Sequence, residues 1–153
     1  MKAEQLPREG GVYALLVEVD SGIALRVGGL GFIELEKGTY VYIGSAKGPG
    51  GLRARIARHL RREKKLRWHI DYLLTMPRAQ VLWVVCAVTD SVKECDVVYA
   101  LLRRGAHAPI PGFGSSDCSR GCPAHLLRGA TLEEVLESFR ELGLEPVVVP
   151  GRQ

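Results

Sequence analysis

Gly11-Val12-Tyr13-Ala14-Leu15-Leu16-Val17-Glu18-Val19 is the stretch from which the fold can be read. Its β-branched and aromatic residues predict a strand from Gly11 to Val19. Asp20-Ser21-Gly22 supplies a turn into a second run, Ile23 to Val27, and the pair predicts a hairpin. Beyond the Gly28-Gly29-Leu30-Gly31 break, Phe32–Glu36, the turn signal Lys37-Gly38 and Thr39–Ile43 predict a second hairpin.

Gly44 to Gly51 is a flexible connection into a helix over about residues 52 to 63, where Leu52, Ile56 and Leu60 repeat at i, i+4 and i+8. A short helix, Trp68 to Leu74, should end before Pro77, and the apolar run Gln80 to Val88 predicts a central strand buried on both faces. A third helix, about Val92 to Arg104, has Thr89-Asp90-Ser91 as capping side chains and Gly105 as its stop. A fourth, Leu132 to Leu142, opens on the capping box Thr131-x-x-Glu134 and stops at Gly143, and Val147 to Val149 can add an edge strand. The expected class is α+β: a central antiparallel meander flanked by helices. One domain over 1–153 is expected, with a Cys/Gly-rich loop near 106–127 and a C-terminal helix-strand extension at 131–149.

The 153 residues carry a formal net charge of +4, with 46% hydrophobic and 25% charged residues, which excludes a disordered or fibrous chain. The N-terminal Met1 to Pro7 has no signal-peptide core and no run reaches membrane-spanning length, so a soluble cytoplasmic protein with no membrane partner is expected. The positive excess is local. Between Arg53 and Arg67 stand eight basic residues (Arg53, Arg55, Arg58, Arg61, Arg62, Lys64, Lys65, Arg67) and one acid, Glu63.

On a helical wheel centred on Leu52, Ile56 and Leu60, Arg55 and His59 stack along one edge turned toward the sheet, while Arg58, Arg61 and Arg62 point outward. An Arg at the edge of a core can grip a phosphate and a His beside it can move a proton near neutral pH. The outward cations can neutralise a nucleic-acid backbone, or can simply form a solvated face. Glu94 falls within the apolar arc of its helix, where a carboxylate wants a cation, although Ser91-x-x-Glu94 is also a capping-box spacing. Tyr13 and Tyr42 read as core tyrosines with satisfied hydroxyls.

Cys118-x3-Cys122-x2-His125 could supply three zinc ligands, with Cys95 or a nearby acid as the fourth. Free core thiols are the default for a cytosolic chain, a disulfide is the third reading, and Cys86 reads as packing.

Taken together, Gly11-Val12-Tyr13, Tyr42-Ile43-Gly44 and Arg55-Ile-Ala-Arg-His59 resemble the GIY-YIG nuclease superfamily. Tyr42-Ile-Gly-Ser-Ala46, Trp68-His-Ile-Asp-Tyr72, Glu94-Cys95 and Gly112-Phe-Gly-Ser-Ser-Asp-Cys118 with His125-Leu126 resemble its small Uri-type branch. The resemblance runs from about Gly11 to Leu127 and implies a DNA endonuclease using a single Mg²⁺ or Mn²⁺, acting in repair or mobile-DNA processing. On that resemblance Tyr13 helps deprotonate the attacking water, Tyr42 lines the site, Arg55 stabilises phosphate charge, His59 assists proton transfer and Glu94 binds the metal. Lys47, Arg53, Arg58, Arg61, Arg62, Lys64, Lys65 and Arg67 are the expected DNA contacts. Val12 replaces the Ile of the first tripeptide, and a further site Asn of many members has no candidate, since the chain contains no Asn. With no appended recognition module, target choice falls to a partner protein or to the shape of branched or damaged DNA. The rival reading is a non-catalytic nucleic-acid-binding module with a zinc-stabilised, partner-docking Cys-rich loop. His69 and Asp71 could belong to the site or anchor their short helix, and the anchor is the expected role.

Overall fold

Strand β1 (Gly11–Val19) carries apolar side chains toward both faces and exposes only Glu18, so it is stable only in the middle of a sheet covered on both sides. The computed structural model, which describes residues 5–115, 118 and 121–152, places it there. Met1 to Glu4, and Ser116 and Asp117 of the loop motif, lie outside the described residues.

The second two-sided strand, β4 (Gly38–Ala46), pairs antiparallel with β1 in a register running from Gly11↔Ala46 to Val19↔Gly38. On the other side of β1 runs β5 (Ala79–Val88), also antiparallel. Short strands β6 (Leu126–Arg128) and β7 (Val147–Pro150) close the edges, giving the order β6-β4-β1-β5-β7. Every neighbouring pair is antiparallel.

Neither expected hairpin forms, and the sheet is not a sequential meander. Strands β2 (Ile23–Val27) and β3 (Gly31–Leu35) pair with each other through a 3₁₀ turn, Gly28–Leu30, as a separate ribbon. Both alternate buried and exposed residues, so each has one apolar face to hide, whereas β1 and β4 have two. The two-sided strands therefore pair with each other in the sheet's interior, and the ribbon becomes an excursion between them.

The register of β1 on β5 jumps from Leu16↔Trp83 to Val17↔Val81, which makes Leu82 the extra residue of a bulge. Leu82 and Trp83 are exposed, so β5 is less buried than its apolar composition suggests.

Helices α1 (Gly51–Leu60) and α2 (His69–Leu74) pack with the ribbon over Tyr13, Leu15, Val17 and Tyr42. Helices α3 (Glu94–Arg103) and α4 (Leu132–Glu141) cover Val12, Ala14, Leu16, Val41 and Ile43 on the opposite face. Each large apolar side chain so buried contributes about 1.5–3 kcal/mol of transfer free energy.

Helix ends follow local chemistry. Thr131 and Glu134 exchange the reciprocal bonds of the expected capping box. Helix α1 stops three residues short of the expected 63, because Lys64 Nζ turns back to donate to the His59 carbonyl at 2.6 Å and Arg61 is extended. Helix α3 begins at Glu94, and Asp96, not Glu94, caps it by accepting the Lys93 N–H at 2.8 Å. The capping reading of Glu94 is thereby excluded. No described helix is long and apolar enough to cross a membrane.

Candidate active site

Tyr13 on β1 faces Gly44 on β4 across a non-local antiparallel pair, and its phenol lies over the glycine. A Cβ at position 44 would run into the Tyr13 hydroxyl and ring, so only glycine lets the phenol lie flat there. Gly11 is held similarly tight, since a Cβ would strike the Ala87 carbonyl of β5. Gly44 thus seats the Tyr13 phenol, and Gly11 lets β1 lie close against β5.

Helix α1 presents Arg55 and His59 to the same place, one turn apart. His59 is fully buried behind Tyr13, with Nε2 2.6 Å from the Tyr13 oxygen. Burial, reinforced by the positive charge of Lys64, lowers its pKa to about 3, so the ring is neutral near pH 7. A neutral ring accepts the Tyr13 O–H at Nε2, which puts the ring proton on Nδ1; that atom is buried without a partner among the described residues.

Burial raises the Tyr13 pKa well above the usual phenol value, Tyr42 adds to the rise, and Arg55 pulls against it. The pull of Arg55 is thus too weak to bring the phenol below its usual value. Tyr42 is raised as well, again chiefly by burial.

A cleft of about 210 Å³ opens in front of these groups, lined by Tyr13, Tyr42, Arg55, Trp68, Glu94, Gly114, Cys118 and His125 among others. Arg55 is fixed by donating to the Ser45 carbonyl at 3.0 Å and lies 4.7 Å from the Trp68 ring centre. Glu94, the first residue of α3, enters from the far side, and its Oε2 is buried with no hydrogen-bond partner among the described residues. An orphaned carboxylate oxygen in a cleft is a fitting donor for a hard divalent cation, which takes one or two carboxylates and fills its other positions with water and phosphate oxygens. Four of the five expected catalytic residues line the cleft and the fifth, His59, supports Tyr13 from behind.

The basic run divides. Lys47, Arg61, Arg62, Lys65 and Arg67 are exposed. Arg58, expected to point outward, instead makes two 2.9 Å bonds to the fully buried Asp71 and lies 4.2 Å from the Trp68 ring centre. Asp71 also accepts the backbone N–H groups of Arg67 and Trp68, and its pKa is lowered because these bonds outweigh the cost of burial. Lys64 is tied to the His59 carbonyl and its pKa falls to about 8, mainly through burial. Arg53 Nε donates to the Leu6 carbonyl, and Arg62 reaches the Met76 carbonyl at 3.2 Å. Arg58, Lys64 and Arg53 are first of all structural, whereas Arg62 stays exposed, as expected. Asp71 anchors α2, as expected, and His69 accepts the Gly114 N–H at 2.8 Å, which docks the loop.

Trp68 is a wall of the site that sequence reasoning misses. Its position among Arg55, Arg58 and Arg67 in sequence was the available signal for a ring under guanidinium groups. Cys118 and His125, expected as zinc ligands of the loop, reach the same cleft.

The cysteines are not all free thiols. Cys95 and Cys122 pair as a disulfide, while Cys86 and Cys118 are free; burial pushes the Cys86 thiol up to about 11. Cys95, Cys118, Cys122 and His125 bring their donor atoms within 4.8 Å of one another, a group that could hold a metal ion.

A family model described as "Domain of unknown function DUF123" matches residues 12–145, and the chain belongs to that family. No curated protein and no solved structure matches the chain.

Proposed function

We propose that this member of the DUF123 family is a GIY-YIG-type, divalent-metal-dependent DNA endonuclease of the cytoplasm, acting in repair or mobile-DNA processing. The observation that carries this reading is the unpartnered Glu94 Oε2 facing the buried Tyr13–His59 pair and Arg55 across one cleft.

Phosphodiester hydrolysis needs an activated water, a counter-charge for the phosphate and a proton for the leaving oxygen. Glu94 would hold Mg²⁺ or Mn²⁺, which when bound supplies Lewis-acid polarisation of the phosphate and its water. Tyr13, with its raised pKa, is a poor base alone but a good relay. As the water oxygen attacks phosphorus, its proton passes to the Tyr13 oxygen while the Tyr13 proton passes to the neutral His59 Nε2. Arg55 offers the guanidinium N–H groups left over from Ser45 to the charge growing on the phosphate oxygens. The P–O ester bond then breaks, the leaving oxygen takes its proton from solvent, and the imidazolium formed at His59 returns its proton through Tyr13. Tyr42 closes the wall beside them and excludes water. Exposed Lys47, Arg61, Lys65 and Arg67 are suited to contact the DNA backbone without reading its sequence.

The test is incubation with supercoiled plasmid and with branched and flapped oligonucleotides at low salt, comparing the native chain with Arg55→Ala. Cleavage that requires metal and is lost in the variant supports the reading. Salt-sensitive binding without cleavage by the native chain would favour a non-catalytic binding module.

A further inference from the structure

We propose that in the reduced protein Cys95, Cys118, Cys122 and His125 form a zinc site that braces one wall of the cleft, separate from the cation site at Glu94. The four donors come from three places in the chain: the first turn of α3, the loop, and the segment entering β6. They nonetheless converge. Cys118 Sγ lies 3.0 Å from Cys95 Sγ and 3.6 Å from Cys122 Sγ, and His125 Nε2 lies 3.1 Å from Cys122 Sγ and 3.8 Å from Cys95 Sγ.

Zinc bonds of about 2.3 Å to sulfur and about 2.0 Å to nitrogen at tetrahedral angles separate ligand atoms by roughly 3.5–3.8 Å. The Cys118–Cys122 and Cys95–His125 spacings match that range, the Cys95–Cys118 and Cys122–His125 contacts must open by roughly half an ångström, and the Cys95–Cys122 bond must open fully. A disulfide accounts for two of the donors. It gives no reason for a third sulfur and an imidazole nitrogen to lie against the pair from other directions, whereas a tetrahedral ion uses all four. Three sulfurs with one imidazole is a zinc-type donor set, and a carboxylate-seeking cation such as Mg²⁺ would not select it.

The backbone already holds one ligand residue in place. The His125 backbone donates its N–H to the Phe113 carbonyl at 2.7 Å and its carbonyl accepts the Ile43 N–H at 2.8 Å, which ties the residue's main chain to both the loop and β4. Cys95 directly follows Glu94, so a metal gripping Cys95 also fixes where the Glu94 carboxylate enters the cleft. Zinc and the Cys95–Cys122 disulfide compete for the same two sulfurs and cannot coexist.

The experiment is to express the full chain with zinc in the medium, purify it under reductant and measure metal by elemental analysis, then replace zinc with Co²⁺ and record its visible spectrum. About one zinc per chain is expected, with thiolate-to-cobalt charge transfer and tetrahedral cobalt bands. Cys118→Ser and His125→Ala should each lose most of the zinc, and Cys86→Ser should keep it. The native-chain cobalt spectrum stands even where a ligand variant fails to fold. A reduced native chain without stoichiometric zinc and without the cobalt–thiolate signature would overturn the proposal, as would Cys118→Ser retaining full zinc. Nucleic acid takes no part in the measurement, so its result is independent of whether the chain cleaves DNA.

Discussion

The Tyr13 hydroxyl lies 2.6 Å from His59 Nε2, and both side chains are buried between β1 and α1. Neither residue is a conventional base by itself: the phenol is held protonated and the imidazole is hidden from solvent. Coupled, they can pass a proton from the cleft to the ring behind the wall for the moment of attack. Tyr13→Phe and His59→Gln should each lower single-turnover cleavage by about 10²-fold or more. The double variant should be little worse than either single one, since the two act as one unit. Multiplicative losses would show that they act separately.

The same burial sets a pH dependence of stability. His59 has a folded pKa of about 3 against an ordinary 6.5, so the unfolded chain binds the extra proton between those values. Stability is therefore full above pH 6.5 and falls as the pH drops toward 3, by an amount on the order of a few kcal/mol. Asp71, whose pKa is also lowered, acts in the same direction only near and below about 3.8. Urea denaturation between pH 4 and 7 should show a loss on acidification that shrinks in His59→Gln. Equal losses in the two proteins would refute it.

Arg58 and Asp71 form a buried ion pair beneath Trp68, with Asp71 fully buried. Asp71→Ala strands the Arg58 charge and frees two backbone N–H groups, and should cost about 3 kcal/mol or more. Arg61→Ala, on the exposed side of the same basic run, should stay within about 0.5 kcal/mol of the native chain. Chemical denaturation distinguishes these outcomes.

The exposed cations should reveal themselves through salt. Arg61→Ala, Lys65→Ala and Arg67→Ala should each flatten the slope of log affinity against log salt on duplex DNA by up to about 0.9. Unchanged slopes in all three would place the DNA elsewhere on the surface.

Some of this was legible in the sequence because it depends on local pattern. Leu52, Ile56 and Leu60 orient α1, and that orientation alone puts Arg55 and His59 toward the sheet. Glu94 stood out as a carboxylate within an apolar arc, and Thr131 with Glu134 marked the start of α4. Strand pairing was not legible, because Ile23–Val27 and Phe32–Glu36 look like hairpin partners of their neighbours. Only the non-local choice of β1 for β4 and β5 decides otherwise. The three residues of β6 are too few to carry a period, so that strand went unread. Arg58 was misplaced because its partner, Asp71, comes from another helix 13 positions on. The meeting of Cys95 with Cys118, Cys122 and His125 is likewise a product of tertiary folding, although the spacing of the last three hinted at it.

The central claim is that Glu94 holds the catalytic cation, and Glu94→Gln tests it most directly, since the amide preserves shape and removes charge. Cleavage of supercoiled plasmid in Mg²⁺ or Mn²⁺, with EDTA as the control, should be measured beside binding of the same DNA in EDTA. The account predicts metal-dependent cleavage by the native chain, a loss of about 10²-fold or more in the variant, and unchanged binding. Glu94→Gln cutting at the native rate, or a native chain that binds DNA and never cuts it, would contradict the account.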